Sequence, residues 1–248
     1  VRKQFVKTSN YEKFQAAIRF VEARGALEAS WMLVEGSPGY GKTDTVEEWA
    51  AKSGAVYLRA KEKYSPSFFL EELADKLKVE GTGTRRERFQ RITGKLLGTQ
   101  TPIVLDEVQH CLPNNASVLE ALRDITDITE TVAVLVAGED KVQRRIARFP
   151  QLSRRIRETV EFKPATIEDA ALLCAQLADV EIDEGLIVEI HRQSKGRVSD
   201  IVNAVAAVEL QAKRNRGAKR VTLADMAGQE LVHDWQAGRQ QIVRAGGR

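Results

Sequence analysis

Only two cysteines, Cys111 and Cys174, occur in the 248 residues, and neither lies in a CxxC pair. That excludes a disulfide framework and a thiol-pair redox motif. The three histidines, His110, His191 and His233, are scattered, so no zinc-ligand spacing forms. No apolar run approaches the roughly 18 residues that a membrane helix requires. The opening segment VRKQFVKTSN has no apolar core of signal-peptide length, which makes the cytoplasm the default location. It does not begin with methionine, so further residues upstream are compatible with it. Aromatic residues make up 6% of the chain and do not interleave with its basic clusters. Nothing therefore marks a stacking platform for single-stranded nucleic acid.

What is present is ordinary globular composition, 43% apolar and 29% charged, long enough for one large domain or a domain with a small satellite. The net charge of +3 permits nucleic-acid binding without requiring it, so the placement of charge carries more information than its sum.

Periodicity divides the chain in two. A basic arm and a helix over 11–24 open it. Apolar runs at 31–35, 55–59, 102–107, 131–138 and 159–162 read as strands, and helical patterns at 43–53, 68–79, 85–97 and 117–127 alternate with them. Strands that alternate with helices predict an α/β fold with a parallel sheet covered on both faces. After Pro164 every periodic segment is helical, near 183–194 and 199–215. Thr166-x-x-Asp169 and Thr222-x-x-Asp225 each predict a helix start through a capping box. The expected organisation is an arm and helix over 1–28, an α/β domain over 29–162, a small all-helical domain over 163–230 and a flexible tail over 231–248.

The segment GSPGYGKT, residues 36–43, fits the pattern G-x-x-x-x-G-K-[ST]. Gly36, Gly39 and Gly41 let the backbone of Ser37, Pro38 and Tyr40 wrap close, so that N–H groups converge on phosphate oxygens. The helix that follows adds the positive end of its dipole. Lys42 reaches the β and γ phosphates, and Thr43 offers a hydroxyl to Mg²⁺. Asp44 serves phosphate and metal poorly and reads as a charge at a helix N-terminus. Chance produces such a pattern in roughly one chain in a hundred of this length. The preceding strand and following helix lower that further, and a bound ATP is the expectation.

IVLDE ends a strand on two carboxylates. Asp106 is the expected Mg²⁺ partner of the loop, and Glu107 the base that orients and deprotonates a water. A solvated turn is the bland alternative, and the glycine loop counts against it.

These residues, with QLSRRI before the last strand and an all-helical lid, resemble the AAA+ ATPases, P-loop proteins with a parallel sheet core. The resemblance covers nearly the whole chain. It implies hydrolysis of ATP to ADP and phosphate, subunits in rings or spirals, and an arginine finger reaching a neighbour's nucleotide. Arg155 is the best match for that finger and Arg154 the runner-up; a surface arginine cluster is the alternative. The first sensor has no convincing residue, since Glu139 is a poor match. Arg197 in KGRVSD is the candidate second sensor, one or two places early, or simply a charge at a helix start.

More specifically, FVKTSN, DEVQH, the VAG strand and QLSRRI are similar to the Mu B-like transposition regulators. That group binds ATP, polymerises on double-stranded DNA, delivers target DNA to a transposase and stimulates strand transfer. The DNA-binding region that the Mu protein carries ahead of this core is not seen. The chain thus reads as such a core or as a relative without that region.

Basic clusters give this reading a surface. Arg85, Arg86, Arg88, Arg91 and Lys95 form the first, with 88, 91 and 95 on one helical stripe that would track a phosphate backbone. Lys61 and Lys63 follow the second strand, at the sheet edge where ligands of open α/β folds gather. Arg144, Arg145 and Arg148, and the group from Lys213 to Arg220, are further clusters. Solvated helix faces are the plain alternative for each. The rival functions are a helicase-loader ATPase of DNA replication and a protein-remodelling or secretion ATPase without DNA contact.

Overall fold

The computed structural model describes residues 1–139, 141–215 and 217–233. They form two compact units. The larger comprises Lys13–Ser37 and Lys42–Phe162; the other comprises Val1–Glu12, Pro38–Gly41 and the chain from Lys163 onward.

The larger unit is built on five parallel strands: β1 (Trp31–Glu35), β2 (Val56–Arg59), β3 (Ile103–Asp106), β4 (Ala133–Val136) and β5 (Ile156–Glu161). Their order is β2-β3-β4-β1-β5, so the strand before the glycine loop sits inside the sheet. β3 and β4 are buried along their whole length, as continuous apolar runs between covering helices must be. Connecting them in chain order are α1 (Ser9–Glu22), α2 (Lys42–Ser53), α3 (Pro66–Lys76), α4 (Arg85–Thr99), α5 (Pro113–Thr129), α6 (Val142–Ile146) and α7 (Pro150–Ser153). Trp31 is fully buried, and its indole N–H donates to Thr126 Oγ1 on α5 at 3.0 Å. The largest side chain of the core thus keeps its one polar atom satisfied.

Three local differences from the sequence reading have physical causes. β5 starts at Ile156 rather than 159, because Arg157 and Glu158 interrupt the apolar pattern of an edge strand. Its pairing with β1 carries a bulge between Trp31 and Met32. α4 begins with an unexpected capping box, in which Thr84 Oγ1 accepts from Glu87 N and the Glu87 carboxylate accepts from Thr84 N. α5 opens on three left-handed residues, Asn114, Asn115 and Ala116, and its regular right-handed turns follow them.

The second unit holds α8 (Ile167–Leu177), α9 (Glu184–Ser194) and α10 (Val198–Arg214) around their own core. The Thr166–Asp169 capping box forms and starts α8. The Thr222–Asp225 box also closes, yet only a 3₁₀ turn follows, Ala224–Met226, since Ala227 is extended and Gly228 turns left-handed. To the helices is added a two-residue parallel pair, β6 (Glu181–Ile182) with β7 (Arg220–Val221). The arm is woven into this unit. Val6 is buried in its core, and Asn10 bonds both the N–H and the carbonyl of Lys163 with its amide. Ser9 donates its N–H and hydroxyl to the buried carboxylate of Asp169 at 2.7 and 2.6 Å. Of the expected tail, Leu231 and Val232 are buried here, and residues 234–248 lie outside the described residues. Among the described residues no helix is long and apolar enough to cross a membrane.

Candidate nucleotide-binding site

The glycine loop leaves the C-terminal end of β1 and runs straight into α2. Gly36, Gly39 and Gly41 have φ of 138°, 87° and 81°, a region that costs side-chain-bearing residues energy. At Gly36 space matters as well: a Cβ would lie 2.4 Å from the carbonyl oxygen of Phe162. Lys42 is 7% exposed, and its ammonium donates back to the carbonyls of Gly36 and Ser37. The cation is therefore held across the base of the loop, with the first amides of α2 beside it. Asp44 is exposed in the first turn of α2, where it complements the helix dipole. Pro38 is exposed, and Ser37 and Tyr40 are half-buried.

The apex of the loop, Pro38–Gly41, belongs to the same compact unit as α10. Gly39 accepts a bond from Ser199 N at 3.2 Å, and a Cβ on Gly39 would sit 3.5 Å from Cβ of Arg197. Arg197 is the N-cap residue of α10 and pairs loosely with Asp200, at 3.8 Å.

Asp106 closes β3 and is 1% exposed. Its Oδ2 lies 3.4 Å from Thr43 Oγ1 and accepts the Tyr57 hydroxyl at 2.6 Å. Its Oδ1 accepts the N–H of Glu107 at 2.8 Å. Burial and the neighbouring carboxylate of Asp106 raise the Tyr57 phenol well above its ordinary range, so it stays a donor. Tyr57 and Arg59 alternate on β2, and the β2–β3 register sets Arg59 opposite Asp106. Arg59 donates to Glu107 Oε1 at 3.0 Å. The other carboxylate oxygen, Oε2, takes a bond from Gln109 Nε2 at 2.5 Å, and Gln109 Oε1 in turn accepts Gly138 N at 2.9 Å. Burial pushes the Glu107 carboxyl up, but the bonds from Gln109 and Arg59, with the charges of Arg59 and His110, outweigh it and leave it below the usual range.

Tyr57, Arg59, Gln109 and Gly138 were not singled out from the sequence. The alternation of Tyr57 and Arg59 along β2 is the one signal that could have raised two of them. Glu139 is exposed and pairs with Arg145.

For a metal, Thr43 and Asp106 present hard oxygen donors of the kind Mg²⁺ takes, with phosphate and water completing its shell. Among the described residues no group of three or more His, Cys, Asp or Glu side chains that could hold a metal ion exists.

The two finger candidates differ in their surroundings. Arg155 is 14% exposed and locked in a bidentate pair with Asp127 of α5. Arg154 is exposed; its backbone N–H donates to the Pro150 carbonyl at 3.2 Å, and its guanidinium has no ion pair or hydrogen bond among the described residues.

The basic stripe on α4 is likewise divided. Arg88 donates to the carbonyls of Gly81 and Ser67, and Arg91 to those of Glu80 and Thr82. Both are half-buried braces of the 80–82 loop, whereas Arg85, Arg86 and Lys95 are exposed. Lys61 and Lys63 are exposed too, Lys61 lying 5.2 Å over the ring of Phe68. Arg220 is paired with Glu181 and Asp183, and Arg216 lies outside the described residues.

Residues 26–146 match the family model described as the AAA domain. The chain is 30% identical over 162 residues to the ATP-dependent target DNA activator B of Escherichia phage D108, and 28% identical to that of Escherichia phage Mu. Each match covers 62% of this chain and 49% of the relative, so the chain spans about half the length of the curated relatives it matches. Among solved structures it is similar to the ORC2 protein of Aeropyrum pernix in its ADPNP–ADP complexes, with a TM-score of 0.67 at 16% identity over 89% of this chain and 67% of that one. Cdc6p from Pyrobaculum aerophilum gives a TM-score of 0.63 at 15% identity, over 91% of this chain and 68% of that one. At such identities the likeness shows a shared fold. Residues 26–146 thus resemble the AAA domain, the chain is similar to the phage target DNA activators over 62% of its length, and it shares the fold of the ORC2 and Cdc6p structures.

Proposed function

We propose that this chain is an ATP-hydrolysing, DNA-binding protein of the cytoplasm that assembles on double-stranded DNA and presents it to a transposase. The observation that carries the reading is the convergence of the loop hydroxyl of Thr43 with buried Asp106, 3.4 Å apart, in a chain homologous to phage target DNA activators. The loop amides and Lys42 bind the triphosphate. Thr43 and Asp106 would hold Mg²⁺, which neutralises charge on the phosphate oxygens when bound. Glu107 orients a water toward the γ-phosphorus and accepts its proton as the water oxygen bonds to phosphorus and the bond to the β–γ bridging oxygen breaks, releasing ADP. A guanidinium from a neighbouring copy completes the site, and exposed Arg154 can supply it without breaking a side-chain bond to any of the described residues. Arg197 senses the nucleotide from the start of α10. Exposed Lys61, Lys63, Arg85, Arg86 and Lys95 bind phosphates of the duplex without reading bases.

Electron microscopy and ATP turnover with duplex DNA, single-stranded DNA or none test this reading together. Filaments that need both ATP and duplex support it. Preference for single strands returns the helicase-loader alternative, and turnover indifferent to DNA returns the remodelling one.

A further inference from the structure

We infer that Gln109 is the positioning residue of the hydrolytic centre, acting through Glu107 from an anchor on the main chain of Gly138. The inference rests on the hydrolysis reading above and adds a group to it.

The 3₁₀ turn Val108–Cys111 brings Gln109 back over Glu107, which itself has a left-handed backbone, φ 55°. Gly138 N can only donate, so it fixes the amide of Gln109 with its oxygen toward Gly138 and its nitrogen toward Glu107. The reverse orientation would set N–H against N–H and oxygen against carboxylate. Gln109 therefore donates to Oε2 while Arg59 donates to Oε1, and each carboxylate oxygen keeps lone-pair capacity for a water.

Gly138 makes this possible by what it lacks. A Cβ there would fall 1.9 Å from Glu107 Oε2 and 2.6 Å from Gln109 Nε2. The end of β4 thus offers an amide and open space where a side chain would evict the carboxylate. Gln109 supplies the polar group that this strand end does not.

The test is steady-state turnover of the full chain with ATP and duplex DNA, beside titration with a fluorescent ATP analogue. Gln109→Leu removes the donor; Gln109→Glu keeps the shape but sets carboxylate against carboxylate. Both should lower kcat roughly 10- to 100-fold, with KM and analogue affinity within about twofold of the unsubstituted chain. Retained affinity shows that the fold and loop persist. Turnover in the unsubstituted chain with equal kcat in both variants overturns this inference alone, as does a change confined to KM. No turnover in the unsubstituted chain overturns the hydrolysis reading and this inference with it.

Discussion

Arg155 and Asp127 meet through two parallel bonds, Nε and Nη2 each 2.7 Å from a different carboxylate oxygen. A guanidinium so engaged would have to abandon its partner to reach another subunit. The guanidinium of Arg154, one residue earlier, has no such tie among the described residues. Arg155→Ala should therefore lower stability by about 1 kcal/mol in thermal or urea unfolding. Arg154→Ala should leave stability unchanged and abolish ATP turnover. Mixing Arg154→Ala with Lys42→Ala subunits should restore turnover, because each supplies what the other lacks. Turnover intact in Arg154→Ala alone would remove this residue from the role.

Glu107 titrates below the usual carboxylate range, because the bonds and charges that favour its ionised form outweigh burial. The ionised base then persists as pH falls past the ordinary carboxylate value, so the acid limb of kcat/KM should lie below that value. Arg59→Ala removes a hydrogen bond and a positive charge, which raises the Glu107 pKa and moves the limb to higher pH. His110 and Asp106 remain beside it and set how far. Glu107→Gln should bind ATP, lose roughly 10²- to 10⁴-fold in turnover and persist on DNA. An unmoved limb in Arg59→Ala would separate that arginine from the titration.

Asp169 accepts from Ser9 N, Ser9 Oγ and Thr166 N while its own N–H donates to Thr166. One carboxylate thus caps α8 and pins the arm. Asp169→Ala strands these donors and should cost about 2–3 kcal/mol, read from the urea midpoint. Asp169→Asn, which keeps one acceptor oxygen, should cost less. Equal midpoints for Asp169→Ala and the unsubstituted chain would show that the arm needs no such pin.

Salt titration of duplex binding separates phosphate contacts from braces. Lys61→Ala and Lys63→Ala should each flatten the slope of log K against log salt by about 1. Arg88→Ala should leave the slope unchanged and loosen the 80–82 loop, seen as faster amide exchange there.

The glycine loop, Asp106 and the parallel sheet were legible because each is written in consecutive residues with one period or one spacing. The Glu107 network was not. Arg59 reaches Glu107 through a strand register, and Gln109 reaches Gly138 across 29 positions. Alternation along β2 could have put Arg59 on the right face, but neither pairing itself is written in local pattern. The surroundings of the α4 stripe were not legible for a related reason: spacing places Arg88 and Arg91 on one face but says nothing about the loop carbonyls they bond there. At Thr222 the local signal was sound and its hydrogen bonds formed, but the backbone leaves helical geometry at Ala227 and turns left-handed at Gly228.

Crowding at Gly36 changes how substitutions there should be interpreted. With the Phe162 carbonyl so near, even alanine would push against main chain. A mutational scan would score this position intolerant whether or not a phosphate ever visits it. Gly54, with open space around it, is the fair control for turn geometry, and Lys42 is the position whose loss reports on fuel.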